Sequence, residues 1–252
     1  MNAHASFVTN AIRRNARVRD TIFDRVYPPS VQRVSSRFWT PVDVALTATG
    51  WLKDFGADAV LDVGSGAGKF CIVASLAADV AITGIEQRTQ LVDAARAAAV
   101  CYGANVSFSQ GTLESVDPAR YDAFYLFNPF AENLYSADEQ YDDSVELSER
   151  RCFRDLALVE RWLDVASVGK CVVTYHGFGG RIPSTYSLMR SAPRRGDHLR
   201  LWQKRRAGRA SGFYLELDQI VLSSAHLDAL CGQLENSENS MQVREILDRP
   251  LS

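Results

Sequence analysis

The feature that most constrains the fold is a glycine-rich turn between an apolar run and a helical run. Residues 59–63 are nearly all apolar, glycines follow at positions 64, 66 and 68, and residues 69–78 have the pattern of a buried helix. Glycines let the backbone approach a ligand closely, and the N-terminus of the next helix offers free N–H groups. The segment therefore predicts a strand, a ligand-binding turn and a helix.

Further apolar runs continue this alternation at 80–85, 106–109, 123–127 and 171–175, with helical stretches near 90–102 and 143–165. Such runs, separated by helices, are typical of a parallel sheet covered on both faces. Two alternating stretches at 198–203 and 213–221 have only a turn-prone segment between them, which predicts an antiparallel hairpin. The expected fold is α/β, a doubly wound, mostly parallel seven-stranded sheet that ends in this hairpin.

The chain divides into three parts on this reasoning. Residues 1–55 predict a helical N-terminal extension that supplies a cofactor lid or substrate region. Residues 56–222 hold the predicted α/β domain, and residues 223–252 form a polar tail that we expect to be helical.

Composition narrows the classes of partner and compartment. The formal net charge is -2, which argues against a globally basic nucleic-acid binder. The N-terminus lacks the apolar core of a secretory signal, and no segment reaches the ~18 apolar residues of a membrane helix. The odd cysteine count, without any CxxC spacing, predicts neither a disulfide framework nor a metal site. We therefore expect a cytoplasmic protein with no membrane partner. The cysteines are Cys71, Cys101, Cys152, Cys171 and Cys231.

Two phosphate-binding motifs fit the glycine turn poorly. A P-loop needs GxxxxGK(S/T), but Val63 and Phe70 occupy the positions of its first glycine and its hydroxyl residue. A dinucleotide turn needs GxGxxG, and Lys69 stands in place of its last glycine. Asp62 would also face a pyrophosphate with like charge. For S-adenosylmethionine, which is cationic and has no phosphate, Asp62 is favourable.

The turn resembles the first motif of class I S-adenosylmethionine-dependent methyltransferases, (D/E)xGxGxG, and the resemblance extends over about residues 38–221. It implies S-adenosylmethionine as cofactor and a methyltransferase domain at 56–222. The acidic residue that binds both ribose hydroxyls in this family falls on Glu86, 22 residues after Gly64. Thr112 stands where the family often has an Asp beside the adenine amino group.

The segment from Arg37 to Asp43 resembles the (F/Y)xTP segment that contacts the methionine end of the cofactor in N6-adenine methyltransferases. Its alternative is a helix N-terminus with Thr40 as cap and Pro41 in the first turn. The candidate cofactor-binding residues are Phe38, Thr40, Pro41, Asp62, Gly64, Ser65, Gly66, Gly68, Glu86, Gln87, Thr112, Leu113 and Asn128.

The residues after the fourth predicted strand resemble the (D/N)PP(Y/F) motif of amino-methylating enzymes, with one proline fewer. In that family the side-chain carbonyl of the first residue accepts a hydrogen bond from the target nitrogen, and the aromatic ring stacks on the substrate. His176 ends the fifth strand and is a candidate base. The candidate catalytic residues are Asn128, Pro129, Phe130 and His176.

Charge bears on the methyl acceptor. Residues 131–149 carry acidic side chains without an interrupting base, which would attract a cation and repel DNA phosphate. A solvated loop that leads into a helix is the alternative. Basic residues around the hairpin at 190–209 would suit nucleic acid, or a solvated hairpin.

We therefore expect a methyltransferase acting on a nitrogen acceptor, either a protein side chain or an amine, with a basic protein among the candidate partners. Nucleic-acid adenine-N6 methylation, small-molecule O-methylation and a non-catalytic cofactor-binding scaffold stay open. The sequence leaves open the acceptor's identity, the oligomeric state and the pathway.

Overall fold

The structure, a computed structural model, describes residues 3–208 of the 252. The predicted strand at 213–221 and the predicted tail at 223–252 lie outside these residues, as does Cys231. The strands are β1 (Ala59–Val63), β2 (Ala81–Glu86), β3 (Ser107–Gln110), β4 (Ala123–Phe127), β5 (Cys171–Tyr175), β6 (Tyr186–Arg194) and β7 (Asp197–Lys204). The helices are α1 (Ala3–Arg13), α2 (Asp20–Phe23), α3 (Pro29–Arg33), α4 (Ser35–Phe38), α5 (Val42–Asp54), α6 (Lys69–Ala77), α7 (Thr89–Tyr102) and α8 (Glu149–Val165).

Within residues 3–208, the strands form one seven-stranded sheet in the order β3-β2-β1-β4-β5-β7-β6. The first five strands are parallel, while β7 runs antiparallel to both β5 and β6. This order confirms the predicted fold class. It also brings the carboxyl ends of β1, β2 and β4 together, where ligands bind in sheets of this kind.

Apolar side chains cover the central strands on both faces. On one face, residues such as Tyr125 and Val173 pack in a core with apolar residues of α1, α5, α6 and α7. On the other face, Phe124 and Val172 pack with residues of α8. Every residue of β4 and β5 except Phe127 is buried, which explains why these strands have continuous apolar sequences.

The hairpin was predicted with the wrong partner strand. β7 contains the predicted stretch 198–203, but it pairs with β6, which precedes it in the chain. Arg195 and Gly196 form the turn with φ of 47° and 90°, the positive values that two-residue hairpin turns require. Pro193 and the mostly exposed side chains of β6 hide this strand from pattern reading, because edge strands bury little and tolerate proline.

The long helix predicted over 143–165 begins later than expected. α8 starts at Glu149, after Ser148, whose Oγ accepts a hydrogen bond from the Arg151 amide at 3.3 Å. This cap satisfies one of the free amides of the first turn and sets the boundary. Among residues 3–208, no helix combines the length and the apolar character needed to cross a membrane.

A buried lysine fastens the N-terminal helices to α6. The Lys69 side chain is 1% exposed, and its Nζ lies 2.8 Å from carboxylate oxygens of both Asp20 and Asp24. It also donates to Ser35 Oγ at 3.2 Å. The lysine that follows the last glycine is thus used to bind the protein's own N-terminal segment.

Replacing Lys69 by Met should lower the free energy of unfolding by about 3–5 kcal/mol, because the two carboxylates lose their buried cation. Chemical denaturation measures this change. Lys53→Met, at an exposed position of α5, is the control and should change stability by less than about 0.5 kcal/mol. Equal effects of the two substitutions would contradict the role of the buried lysine.

Candidate active site

The glycine turn is a contact point for three separate parts of the chain. Gly64, Gly66 and Gly68 have φ of 68°, 54° and 74°, a region that favours glycine. A Cβ atom on Gly66 would lie 2.3 Å from the Trp39 ring, and one on Gly68 would lie 2.5 Å from the Phe108 ring. A Cβ on Gly64 would lie 3.0 Å from the Cβ of Pro129, in the loop after β4. The missing side chains therefore leave room for these neighbours.

A cavity of about 330 Å³ lies beside this turn, at the carboxyl ends of β1, β2 and β4. Its volume is in the range of small-molecule sites, about 300–1,000 Å³. The structure brings together in its lining these sequence-predicted residues: Phe38, Gly64, Gly66, Glu86, Gln87, Thr112, Leu113, Asn128, Pro129, Phe130 and His176.

Five predicted cofactor-binding residues are not among those that line the cavity. Thr40 Oγ1 lies 3.1 Å from the Tyr125 hydroxyl, with which it shares a hydrogen bond. Ser65 packs on Gly84, where a Cβ would lie 2.6 Å from the serine Oγ. These side chains support the turn and the sheet beneath it. The five are Thr40, Pro41, Asp62, Ser65 and Gly68.

Sequence reasoning missed Trp39, which lines the cavity and stands between Phe38 and Thr40 in the sequence. Its ring packs on Gly66, and its Nε1 donates to the Val31 carbonyl at 3.0 Å. The available signal was the tryptophan inside the RFWTP segment. The (F/Y)xTP motif specifies the residues on either side of this tryptophan but not the tryptophan itself.

Glu86 occupies the end of β2 as predicted and is 7% exposed. One carboxylate oxygen accepts from the Gly66 amide at 3.0 Å and the other from the Arg88 amide at 2.9 Å. Burial raises the pKa of this carboxyl, and the backbone hydrogen bonds oppose the rise. Because each oxygen can accept two hydrogen bonds, the carboxylate keeps capacity for a ligand with two adjacent hydroxyls.

Three of the seven carboxylates in the acidic stretch, Glu132, Glu139 and Asp142, pair with arginines at the cavity. The Arg88 side chain is 4% exposed and forms a bidentate ion pair with Glu132, with N–O distances of 2.9 and 2.8 Å. Its Nε donates to Asp142 Oδ1 at 2.8 Å. Arg37 lies 3.9 Å from Glu139. The predicted acidic rim is therefore partly neutralised, and its exposed carboxylates are Asp138, Asp143, Glu146 and Glu149.

Tyr141 holds the loop that carries Glu132 and Asp142 against the N-terminal segment. The Tyr141 amide donates to Glu132 Oε1 at 2.6 Å. Its ring meets the Trp39 and Phe38 rings edge-on, with centroids 5.8 and 6.2 Å apart. Arg88, two residues after Glu86, contacts Glu132 and Asp142 and so links the end of β2 to this loop beside the cavity.

Two residues at this edge adopt a backbone conformation that is rare outside glycine. Asn128, after β4, has φ of 41°, and His176, after β5, has φ of 55°. The backbone amide of Asn128 donates a hydrogen bond to the Gly177 carbonyl at 3.0 Å. This bond joins the loops that follow β4 and β5. Such strain costs on the order of 1–3 kcal/mol and gathers at functional sites.

Comparisons with known proteins bear on the type of domain. A family model described as "Methyltransferase domain" matches residues 60–142, from β1 through the loop after β4. The match identifies a methyltransferase domain over these residues. This match confirms the predicted enzyme class, a methyltransferase. None of the curated proteins matches this chain.

Two solved structures share the fold of this chain at low sequence identity. A putative O-methyltransferase from Klebsiella pneumoniae is 14% identical, with 79% of this chain and 97% of that chain covered and a TM-score of 0.50. Cofactor-bound Rv0187 from MTB is 13% identical over 81% and 91% of the two chains, with a TM-score of 0.50. An RNA methyltransferase from Salinibacter ruber, in complex with S-adenosyl-L-homocysteine, is 21% identical over 71% and 95%, with a TM-score of 0.43.

Asp62 lies buried beneath the glycine turn. It is 4% exposed, and the Cys71 thiol donates to its Oδ2 at 3.1 Å. Burial raises the pKa of Asp62 to about 7, an effect that the negative Glu86 increases and the Cys71 hydrogen bond opposes. The folded chain therefore holds a proton on Asp62 that the unfolded chain releases near pH 4.

Asp62→Asn should stabilise the protein by about 2–4 kcal/mol above pH 7, and by little near pH 4. The raised pKa makes the wild type lose stability as the pH rises between these values, whereas asparagine stays neutral. Denaturant unfolding at several pH values measures the difference, with the exposed Asp58→Asn as control. A gain that did not change with pH would contradict the raised pKa.

Proposed function

We propose that the cavity holds S-adenosylmethionine and that its methyl group passes to a nitrogen acceptor, either a protein side chain or an amine. The observation that carries this proposal is that Glu86 and Asn128 line one cavity beside the glycine turn. The Glu86 carboxylate suits the two hydroxyls of a ribose, and the side-chain carbonyl of Asn128 suits a target nitrogen.

The cavity has an unsatisfied polar group that a cofactor would complete. The Gln87 Oε1 atom is buried and has no hydrogen-bond partner among the described residues, although Gln87 lines the cavity. A buried acceptor without a donor is costly, so a ligand that donates here fits the site. Glu86 would hold the ribose hydroxyls, and Thr112 and Leu113 would lie beside the adenine.

The acceptor side depends on Asn128. Its side-chain oxygen is uncharged and makes no hydrogen bond with a described residue, so it is free to accept one from an N–H group. When bound, the cofactor supplies a methyl carbon made electrophilic by the sulfonium. Asn128 orients the acceptor lone pair, and the aromatic residues Phe38, Trp39, Phe130, Tyr135 and Tyr141 limit water in the cavity.

The structure gives less support to a nucleic-acid acceptor, because several of the basic residues near the hairpin are paired within the chain. Arg190 lies 2.7 Å from Asp54. Arg195 lies 2.9 Å from Asp20 and 2.7 Å from Asp43. These ion pairs hold the hairpin to the N-terminal helices and leave fewer free cations for phosphate.

Glu86→Ala should weaken binding of S-adenosylhomocysteine by about 1–3 kcal/mol, through loss of charge-assisted hydrogen bonds to the ribose. Titration calorimetry measures this change. Asp79→Ala, at an exposed position before β2, is the control and should bind like wild type. Binding of NAD or ATP in place of S-adenosylhomocysteine would overturn the proposal.

Asn128→Gly should lower turnover on the order of 10²-fold, because the acceptor loses a positioning hydrogen bond. Glycine tolerates the positive φ at this position, so the backbone strain is not increased. Transfer of labelled methyl to benzylamine gives the turnover, and calorimetry should show nearly unchanged affinity for S-adenosylhomocysteine. Asn105→Ala, at an exposed site, is the control. Full activity of Asn128→Gly would contradict a nitrogen held at this residue.

A further inference from the structure

We propose that His176 removes a proton from the methyl acceptor and that Asp197 positions it, so that the acceptor is an amine that is protonated at neutral pH. This inference rests on the proposed function, since it concerns the same cavity and the same nitrogen acceptor. It adds a base, a positioning residue and a narrower class of substrate.

The first support is the pairing of the two side chains. His176 Nδ1 lies 2.7 Å from Asp197 Oδ2. With the carboxylate as acceptor, Nδ1 carries the proton and donates it, so Nε2 of the neutral ring has a free lone pair. No hydrogen bond from a described residue occupies Nε2, and His176 lines the cavity together with Asn128.

The hairpin explains how Asp197 reaches this place. Tyr175 at the end of β5 is opposite Leu199 of β7, so Asp197 lies just beyond the carboxyl end of β5, next to His176. Arg195 in the turn is held by Asp20 and Asp43 at 2.9 and 2.7 Å. The turn is thus fixed from both sides, which holds the carboxylate in position.

The backbone joins the base to the acceptor-binding residue. His176 and Gly177 both have positive φ, of 55° and 67°, which turns the chain sharply after β5. The Gly177 carbonyl accepts a hydrogen bond from the backbone amide of Asn128 at 3.0 Å. The His176 ring also contacts the Tyr175 and Phe127 rings, with centroids 4.3 and 5.5 Å away.

The protonation state agrees with a base. Burial lowers the pKa of His176, and the negative Asp197 opposes this effect, so the ring is mainly neutral at pH 7. The other ionisable groups around this corner are Tyr175 on the same strand, Arg194 and Arg195 in the hairpin, and Asp43 of α5. Arg195 and Asp43 already pair with each other.

The proton transfer can be written out fully. The acceptor ammonium gives one proton to Nε2 of His176, which becomes imidazolium stabilised by Asp197. The nitrogen lone pair then forms a bond to the methyl carbon while the carbon–sulfur bond breaks, and its electron pair stays on sulfur. The products are a methylated ammonium, S-adenosylhomocysteine and a protonated His176, which later releases its proton to water.

The test compares two flat primary amines at neutral pH. Benzylamine is protonated and needs the base, whereas aniline is already neutral. His176→Gln and Asp197→Asn should lower kcat for benzylamine on the order of 10²-fold or more, and for aniline only slightly. His198→Gln, at an exposed position of β7, is the control and should leave both rates unchanged.

The pH dependence separates a base from a merely structural histidine. In His176→Gln, transfer to benzylamine should recover as the pH approaches the pKa of the amine, because the free amine needs no base. In Asp197→Asn, the rise of kcat/KM with pH should move to lower pH, because the carboxylate raises the pKa of His176.

Each other outcome counts against a stated part of the account. Equal losses for the two amines, or wild-type transfer to aniline alone, would overturn the role of His176 and leave the nitrogen acceptor standing. If the wild type binds S-adenosylhomocysteine but methylates neither amine, the proposed function is contradicted, and the inference is overturned with it.

Discussion

The backbone of the glycine turn after β1 is the constraint on which the rest of the site depends. Trp39 packs where Gly66 lacks a side chain, and Pro129 lies against Gly64 in the same way. The first contact brings the N-terminal segment to the cavity, and the second brings the loop that carries Asn128. Lys69 directly follows Gly68, and its ion pairs with Asp20 and Asp24 hold the N-terminal segment against α6. A larger residue in the turn would therefore disturb the N-terminal segment and the loop after β4 together.

Much of this arrangement follows from local sequence patterns. Continuous apolar runs with helices between them predict the parallel strands, because both faces of the sheet are buried. The spacing from the turn to Glu86 predicts the ribose-binding position, since a βαβ unit has a nearly fixed length. Residues directly after β4 and β5 must reach the same edge, and Asn128 and His176 do line one cavity.

The features that were missed depend on contacts between distant parts of the chain. Arg88 pairs with Glu132 and Asp142, which are 44 and 54 residues away, and no local pattern selects those partners. The partner of β7 was wrong because β6 is an exposed edge strand with little apolar alternation. Asp197 was not selected either, because the β6–β7 hairpin was not predicted. Its role depends on the hairpin turn that brings it to His176.

The most direct measurement is a crystal structure of the protein with S-adenosylhomocysteine bound. The account predicts the ribose hydroxyls on the Glu86 carboxylate, the adenine beside Thr112 and Leu113, and the sulfur on the side of Asn128 and His176. An adenosine bound away from Glu86, or a ligand outside this cavity, would contradict the central claim that the glycine turn presents the methyl donor to a nitrogen held after β4.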